Sequence, residues 1–113
     1  MNNTKVNMNN LSVQDGKTIA IISYITIIGT LVAFIMNQNK HNSFASFHIR
    51  QALGIFLTGV LVNFIQRYTD FGWILGIGVL VLWVMGLIGA AQGEEKRVPL
   101  LGDQFQEWFR NIA

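Results

Sequence analysis

Apolar positions gather into three long runs, Thr18 to Met36, Ala52 to Ile65 and Phe71 to Ala91, with almost no charge inside them. A bilayer core about 30 Å thick needs about 20 apolar residues of helix to cross it. The first run has 19 residues and the third has 21, so each predicts a span. The strictly apolar part of the second run has 14 residues. At 1.5 Å per residue that is about 21 Å, which is too short. Started at Phe44, the same helix has 22 residues and reaches about 33 Å. His48, Arg50 and Gln51 then lie in its first turns, near the membrane surface, where Arg50 can snorkel to the headgroups. The pattern predicts an all-α membrane protein with three transmembrane helices, over about 12–37, 43–66 and 71–93.

The polar segments punctuate these helices. Residues 1–11 are rich in Asn and lack periodicity, so they read as a flexible polar tail. Residues 12–113 read as a single membrane domain. Ser12-Val13-Gln14-Asp15 fits a capping box at the start of the first helix, and Ser43 is a reasonable N-cap for the second. Pro99 blocks continuation beyond the third. Phe105, Trp108, Phe109 and Ile112 follow at i, i+3, i+4 and i+7. This spacing predicts an amphipathic helix over about 103–112. It is too short to span, and its aromatic face suits the membrane surface as an interfacial anchor.

Composition agrees with lipid as the solvent. The chain is 51% hydrophobic and 12% charged, against about 25% charged in an ordinary soluble domain. The net charge of +2 comes with eight scattered Lys and Arg. They form no basic stripe, which excludes a nucleic-acid partner. No cysteine is present, so disulfides and thiolate chemistry are excluded. The first run is followed by Asn37-Gln38-Asn39-Lys40 rather than a small-residue cleavage site, and reads as a retained helix. With three spans, Lys5, Lys17 and Arg67 share one side, and Lys40, Arg50, Lys96, Arg97 and Arg110 share the other. The positive-inside rule then places the carboxyl terminus in the cytoplasm.

The densest polar patch gathers on that side: Asn37, His48, Arg50, Gln51, Gln92, Glu94 and Glu95. An ion pair from Arg50 to Glu94 or Glu95, and a bond from His48 to a neighbouring helix end, would clamp the helices in register. The same patch could instead serve as a docking site, a pH-sensitive switch or a lipid headgroup site. Gly72, Gly76, Gly86, Ala90 and Gly93 form a small-residue stripe on the third helix, suited to packing within the bundle or to self-association. Ser23, Thr26 and Thr30 on the first helix, and His48, Gln51, Thr58 and Gln66 on the second, make polar stripes. They serve either interhelical hydrogen bonds or a narrow hydrated path. No catalytic motif, phosphate loop or dinucleotide fingerprint occurs. His41 and His48 have no acidic partner at metal spacing. The expectation is a protein without enzymatic activity, cofactor or metal.

Several stretches together carry a resemblance: Ala20 to Ile25, Gly29, Ser46-Phe47-His48-Ile49-Arg50-Gln51-Ala52, Gly86 to Gly93, and Val98-Pro99-Leu100-Leu101-Gly102. They resemble the small bacterial membrane proteins described as Tic-like import components, distant relatives of the small channel subunit of the chloroplast inner-envelope import machinery. That likeness implies a multi-pass inner-membrane protein and, through the chloroplast relatives, a part in translocation. The reading that follows is a non-enzymatic interaction or accessory component in translocation or membrane assembly, with membrane lipid and a protein partner or a second copy as its contacts. The alternatives are a subunit of an oligomeric channel or carrier, and a lipid-binding membrane protein.

Overall fold

In the computed structural model of the protein, the backbone is described for residues 2–112 and the side chains for residues 13–112. The expected tail over 1–11 and the cap on Ser12 lie outside the residues whose side chains are described. Among the described residues every element is a helix: α1 (Asn2–Ile25), α2 (Ile27–Lys40), α3 (Ser43–Ile65), α4 (Gly72–Gln92) and α5 (Gly102–Trp108).

The first apolar run is not one helix. α1 stops at Ile25, and Thr26 adopts extended backbone (φ −151°, ψ 174°). Its Oγ1 accepts a 3.0 Å hydrogen bond from the Gly29 N–H. Thr26 is therefore an N-cap placed in the middle of apolar sequence, and it starts α2 in a new direction. A straight helix would hold Gly16 and Asn42 about 39 Å apart. Here a Cβ on Gly16 would fall 2.1 Å from Asn42 Oδ1, so α2 runs back along α1. Gly29 lies equally tight, since a Cβ there would meet the Ile22 carbonyl oxygen at 2.3 Å. Ile19 and Ala33, one from each arm, share a buried cluster with Ala45 and Ile49 of α3.

A helix break leaves the last carbonyls of α1 without intrahelical donors. Side chains replace those donors. Thr30 Oγ1 donates to the Ser23 carbonyl at 2.8 Å, and the Trp83 indole N–H donates to the Tyr24 carbonyl. Broken helices are tolerated at membrane depth only where such partners exist. The three expected spans are therefore corrected to two candidate spans, α3 and α4. The first run doubles back because a threonine cap and two glycine contacts close a hairpin.

α4 is the more apolar of the two candidate spans, yet only 17% of its most apolar stretch is buried within the protein, against 56% for α3. Ile74, Leu80, Val81 and Ile88 all point outward. A water-soluble fold would hide such a helix, whereas lipid accepts an apolar outer surface.

The core sits around the first half of α3, where Phe44, Ala45, Ile49, Ala52 and Ile55 are buried. The carboxyl-terminal segment covers this half. Val98 packs into the main cluster, and Phe105 is 2% exposed. The Phe105 ring fills a notch at Gly54, where a Cβ would lie 2.3 Å from ring atoms. Gln106 donates to the Phe47 carbonyl at 2.8 Å. The expected interfacial face is thereby corrected: its first aromatic, Phe105, plugs the protein, Phe109 packs half-buried beside it, and Trp108 and Ile112 stay exposed.

Candidate functional site at the polar cap

One end of the molecule collects most of its polar chemistry. Val13 of α1 lies against Gly93 at the end of α4, and the α2–α3 corner and the segment from Glu94 onward meet there too. Gly93 makes that meeting possible. It takes left-handed backbone (φ 76°) and caps α4, while the Glu94 N–H returns to the Gly89 carbonyl at 2.9 Å. This Schellman-type turn is natural for glycine, and it aims the Glu94 carbonyl at α3.

His48 is fully buried there, ringed edge-on by Tyr24, Phe44 and Phe47. Its Nε2 lies 2.7 Å from the Glu94 carbonyl. A carbonyl only accepts, so Nε2 carries the proton and Nδ1 accepts. The Tyr24 hydroxyl, 2.7 Å from Nδ1, is then the donor. Tyr24 in turn accepts from Gln51 Nε2 at 2.9 Å. The other Gln51 N–H donates to the Lys96 carbonyl at 3.1 Å, and Gln51 Oε1 accepts from the Val98 N–H at 2.9 Å. The bonds run in one direction, from Gln51 through Tyr24 and His48 to the Glu94 backbone. They tie α1, α3 and the segment after α4 into a closed network.

The other expected members of the patch separate from this network. Asn37 is buried at the α2–α3 corner, donating to Ser46 Oγ at 2.9 Å and accepting from the Asn42 N–H at 2.9 Å. Asn42 rather than Ser43 caps α3, its Oδ1 accepting from the Ala45 N–H. Gln92, Glu94 and Glu95 are exposed. Arg50 does not pair with Glu94 or Glu95. Its guanidinium donates to the Arg110 carbonyl at 3.2 Å, and Glu94 faces Lys96 at 3.9 Å. The expected ion pair fails because the chain after Gly93 turns back over Gln51, which puts α5 beside Arg50.

Arg50 instead lines a polar cleft of about 350 Å³ with Phe47, Glu95, Arg97, Gln106 and Glu107. Two pairs at the cleft neutralise each other, Arg97 with Asp103 at 2.7 Å and Arg110 with Glu107 at 3.3 Å. Arg50 Nε is buried without a hydrogen-bond partner.

The small-residue stripe is absorbed inside the chain. Gly72 and Gly76 face Gln66, and Gly86 receives the Tyr24 ring, 2.6 Å from where a Cβ would sit. Ala90 is buried in the main cluster. The polar stripes are absorbed as well. Ser23 Oγ donates to the Ala20 carbonyl, and Thr58 Oγ1 to the Gly54 carbonyl. Tyr24, Gly16 and Gly54 carry as much of this architecture as any residue singled out from the sequence. Each lay in a run where tyrosine or glycine reads as ordinary helix filling, and its partner lies far along the chain. Among the described residues no three His, Asp or Glu side chains converge as metal ligands.

Residues 11–105 match the MamF/MmsF family, described as a magnetosome magnetite crystal formation protein family. The chain belongs to that family. Two curated relatives are UPF0132 membrane proteins of Methanocaldococcus jannaschii. One is 26% identical over 78 residues, covering 65% of this chain and 56% of the relative. The other is 25% identical over 73 residues, covering 61% of this chain and 66% of the relative. The chain thus spans somewhat less than two thirds of either relative's length. No solved structure matches. Membership corrects the resemblance drawn from the sequence. The chain is a MamF/MmsF member and not a Tic-like import component, and nothing connects it with translocation. What the two readings share is a membrane protein.

Proposed function

We propose that this protein is a non-enzymatic accessory of the bacterial inner membrane, crossing it twice and working by contact at its polar cap. One observation carries the reading. The deep polar groups of the cap are closed on one another, whereas the Arg50 guanidinium lines an open cleft and, among the described residues, is bonded only to the Arg110 carbonyl. A guanidinium so placed favours a carboxylate, since planar charge-assisted bonds to Arg are strong and directional. An acidic segment of a partner protein meets that need. The family's description, magnetosome magnetite crystal formation, enters on the same footing: the protein supports assembly at a membrane surface through a partner.

The cap faces the cytoplasm in this reading. Six described cations, Lys17, Lys40, Arg50, Lys96, Arg97 and Arg110, lie at the cap end, and Arg67 alone lies at the other. That bias is steeper than a three-span arrangement gives, and the positive-inside rule reads it directly.

A photo-crosslinking residue in place of Glu107, at the cleft, tests the partner. In native membranes it should yield a discrete protein adduct that is absent when the crosslinker replaces Leu61 on the outer face of α3, and that is lost with Arg50→Ala. Adducts equal at both positions, or adducts with lipid alone at Glu107, overturn the reading.

A further inference from the structure

The α1–α2 hairpin stops part-way, so beyond its tip the protein consists of α3 and α4 alone. Two cavities flank the tip on that side. One, of about 400 Å³, lies between α3 and α4 and reaches Gly76 and Trp83. The other, of about 420 Å³, runs beside Thr26 to Asn63. They share Ile25, Phe56 and Gly59. From Phe56 to the end of α3 the helix rises about 14 Å, close to the depth of one leaflet in a core about 30 Å thick.

We propose that this slot is a phospholipid site, holding an acyl chain of the leaflet opposite the cap with the lipid phosphate at Arg67. The inference rests on the two-crossing arrangement and not on any partner at the cap. Three observations point to an acyl chain. The slot is lined mainly by Ile25, Ile55, Phe56, Val79 and Leu80, and two of its polar atoms are engaged within the protein, Thr26 Oγ1 accepting from the Gly29 N–H and the Trp83 N–H donating to the Tyr24 carbonyl. An acyl chain suits such a lining better than a polar ligand does. The cavities have the volume of a small-molecule site, whereas a helix from a second copy is about 10–12 Å across with its side chains. The connection beyond the mouth, residues 66–71, carries one cation, Arg67, and one anion, Asp70. Asn63 lies at the rim, and Arg67 follows it by one turn, exposed and without an ion pair among the described residues. An anionic phosphate answers a lone cation at that level.

The chain has three tryptophans, so Trp73→Phe with Trp108→Phe leaves Trp83 as the sole reporter. In vesicles of phosphatidylglycerol brominated at mid-chain, its fluorescence should be strongly quenched. Gly59→Leu fills the slot without breaking the helix pair, because a Cβ at Gly59 meets only Val79 Cγ1, at an ordinary 3.5 Å. With helicity and melting temperature kept, that variant should lose most of the quenching. Arg67→Gln should weaken the preference for brominated phosphatidylglycerol over brominated diacylglycerol. Undiminished quenching in Gly59→Leu shows bromine reaching Trp83 from bulk lipid and overturns the site. A disulfide-trapped dimer from Gly59→Cys in the membrane also overturns it, since a second copy then fills the slot. Failure of the two-crossing arrangement shows separately, as cysteines at positions 17 and 96 labelled from opposite faces.

Discussion

Gln51 shows how much a single side chain holds in place. Both of its amide hydrogens and its carbonyl oxygen are used, on Tyr24, Lys96 and Val98. Gln51→Leu keeps roughly the same shape but strands the Val98 N–H and the Lys96 carbonyl. Each buried group left without a partner costs about 1–3 kcal/mol. Chemical denaturation in detergent should show a loss of that order, larger than for Gln92→Leu at an exposed position. Leu100 offers the opposite effect. It holds left-handed backbone (φ 71°) while the residue is 93% exposed, and the Leu101 N–H closes a tight turn onto the Pro99 carbonyl. Left-handed backbone costs a non-glycine residue about 1–2 kcal/mol. Leu100→Gly should therefore raise the melting temperature, and a lowered one would show that the exposed side chain contributes more than the turn costs.

The α1–α2 hairpin is the element on which the topology turns. Thr30 bonds across the break to the Ser23 carbonyl and also, at 3.3 Å, to the Thr26 carbonyl. Thr30→Val keeps the branched shape and removes the donor, so it should destabilise by about 1–3 kcal/mol, whereas Thr30→Ser should retain most of the stability. Equal behaviour of the two variants would mean that the hydroxyl is not what holds the break. Little of this element was legible in the sequence. Hydropathy counts apolar residues, and Thr18 to Met36 contains enough of them to cross. The residues that reverse the chain are Thr26, which fits a continuous helix equally well, and Gly16 and Gly29, whose meaning depends on Asn42 and Ile22 lying against them. α3 and α4 were legible because their length and apolar content suffice to identify a spanning helix, whatever packs beside it. The amphipathic period of the last segment was legible too. Which partner its apolar face would meet was not, since membrane surface and a Gly54 notch demand the same spacing from Phe105.

At the scale of the whole molecule, the proposed two crossings would place both described ends of the chain on one face. Single cysteines at position 17 in α1 and at position 96 after α4 should be modified from the same side by a membrane-impermeant reagent, and one replacing Tyr68 from the other. Opposite labelling of 17 and 96 would restore three crossings. A cytoplasmic reporter fused after Ala113 should be active, following the bias of six described cations to one. The candidate site follows the same division between sequence and structure. His48, Arg50 and Gln51 could be gathered by reading along one helix. Tyr24, Glu94 and Val98 complete the network from segments 24 or more residues away, and their arrival is what assigns His48 and Gln51 to structure, while Arg50 turns to α5 and the Arg110 carbonyl.

Sequence alone determined the solvent and the class of element: long apolar stretches with little charge, broken by polar turns, become helices for a bilayer. Tertiary structure decided which apolar runs stay straight, where the first one reverses, and which polar groups are consumed in holding the cap together. Burial in lipid depends on how many apolar residues follow one another, a property of composition along the line. Reversal at Thr26 and the fate of each buried polar group depend on contacts between residues distant in that line, which packing alone brings together.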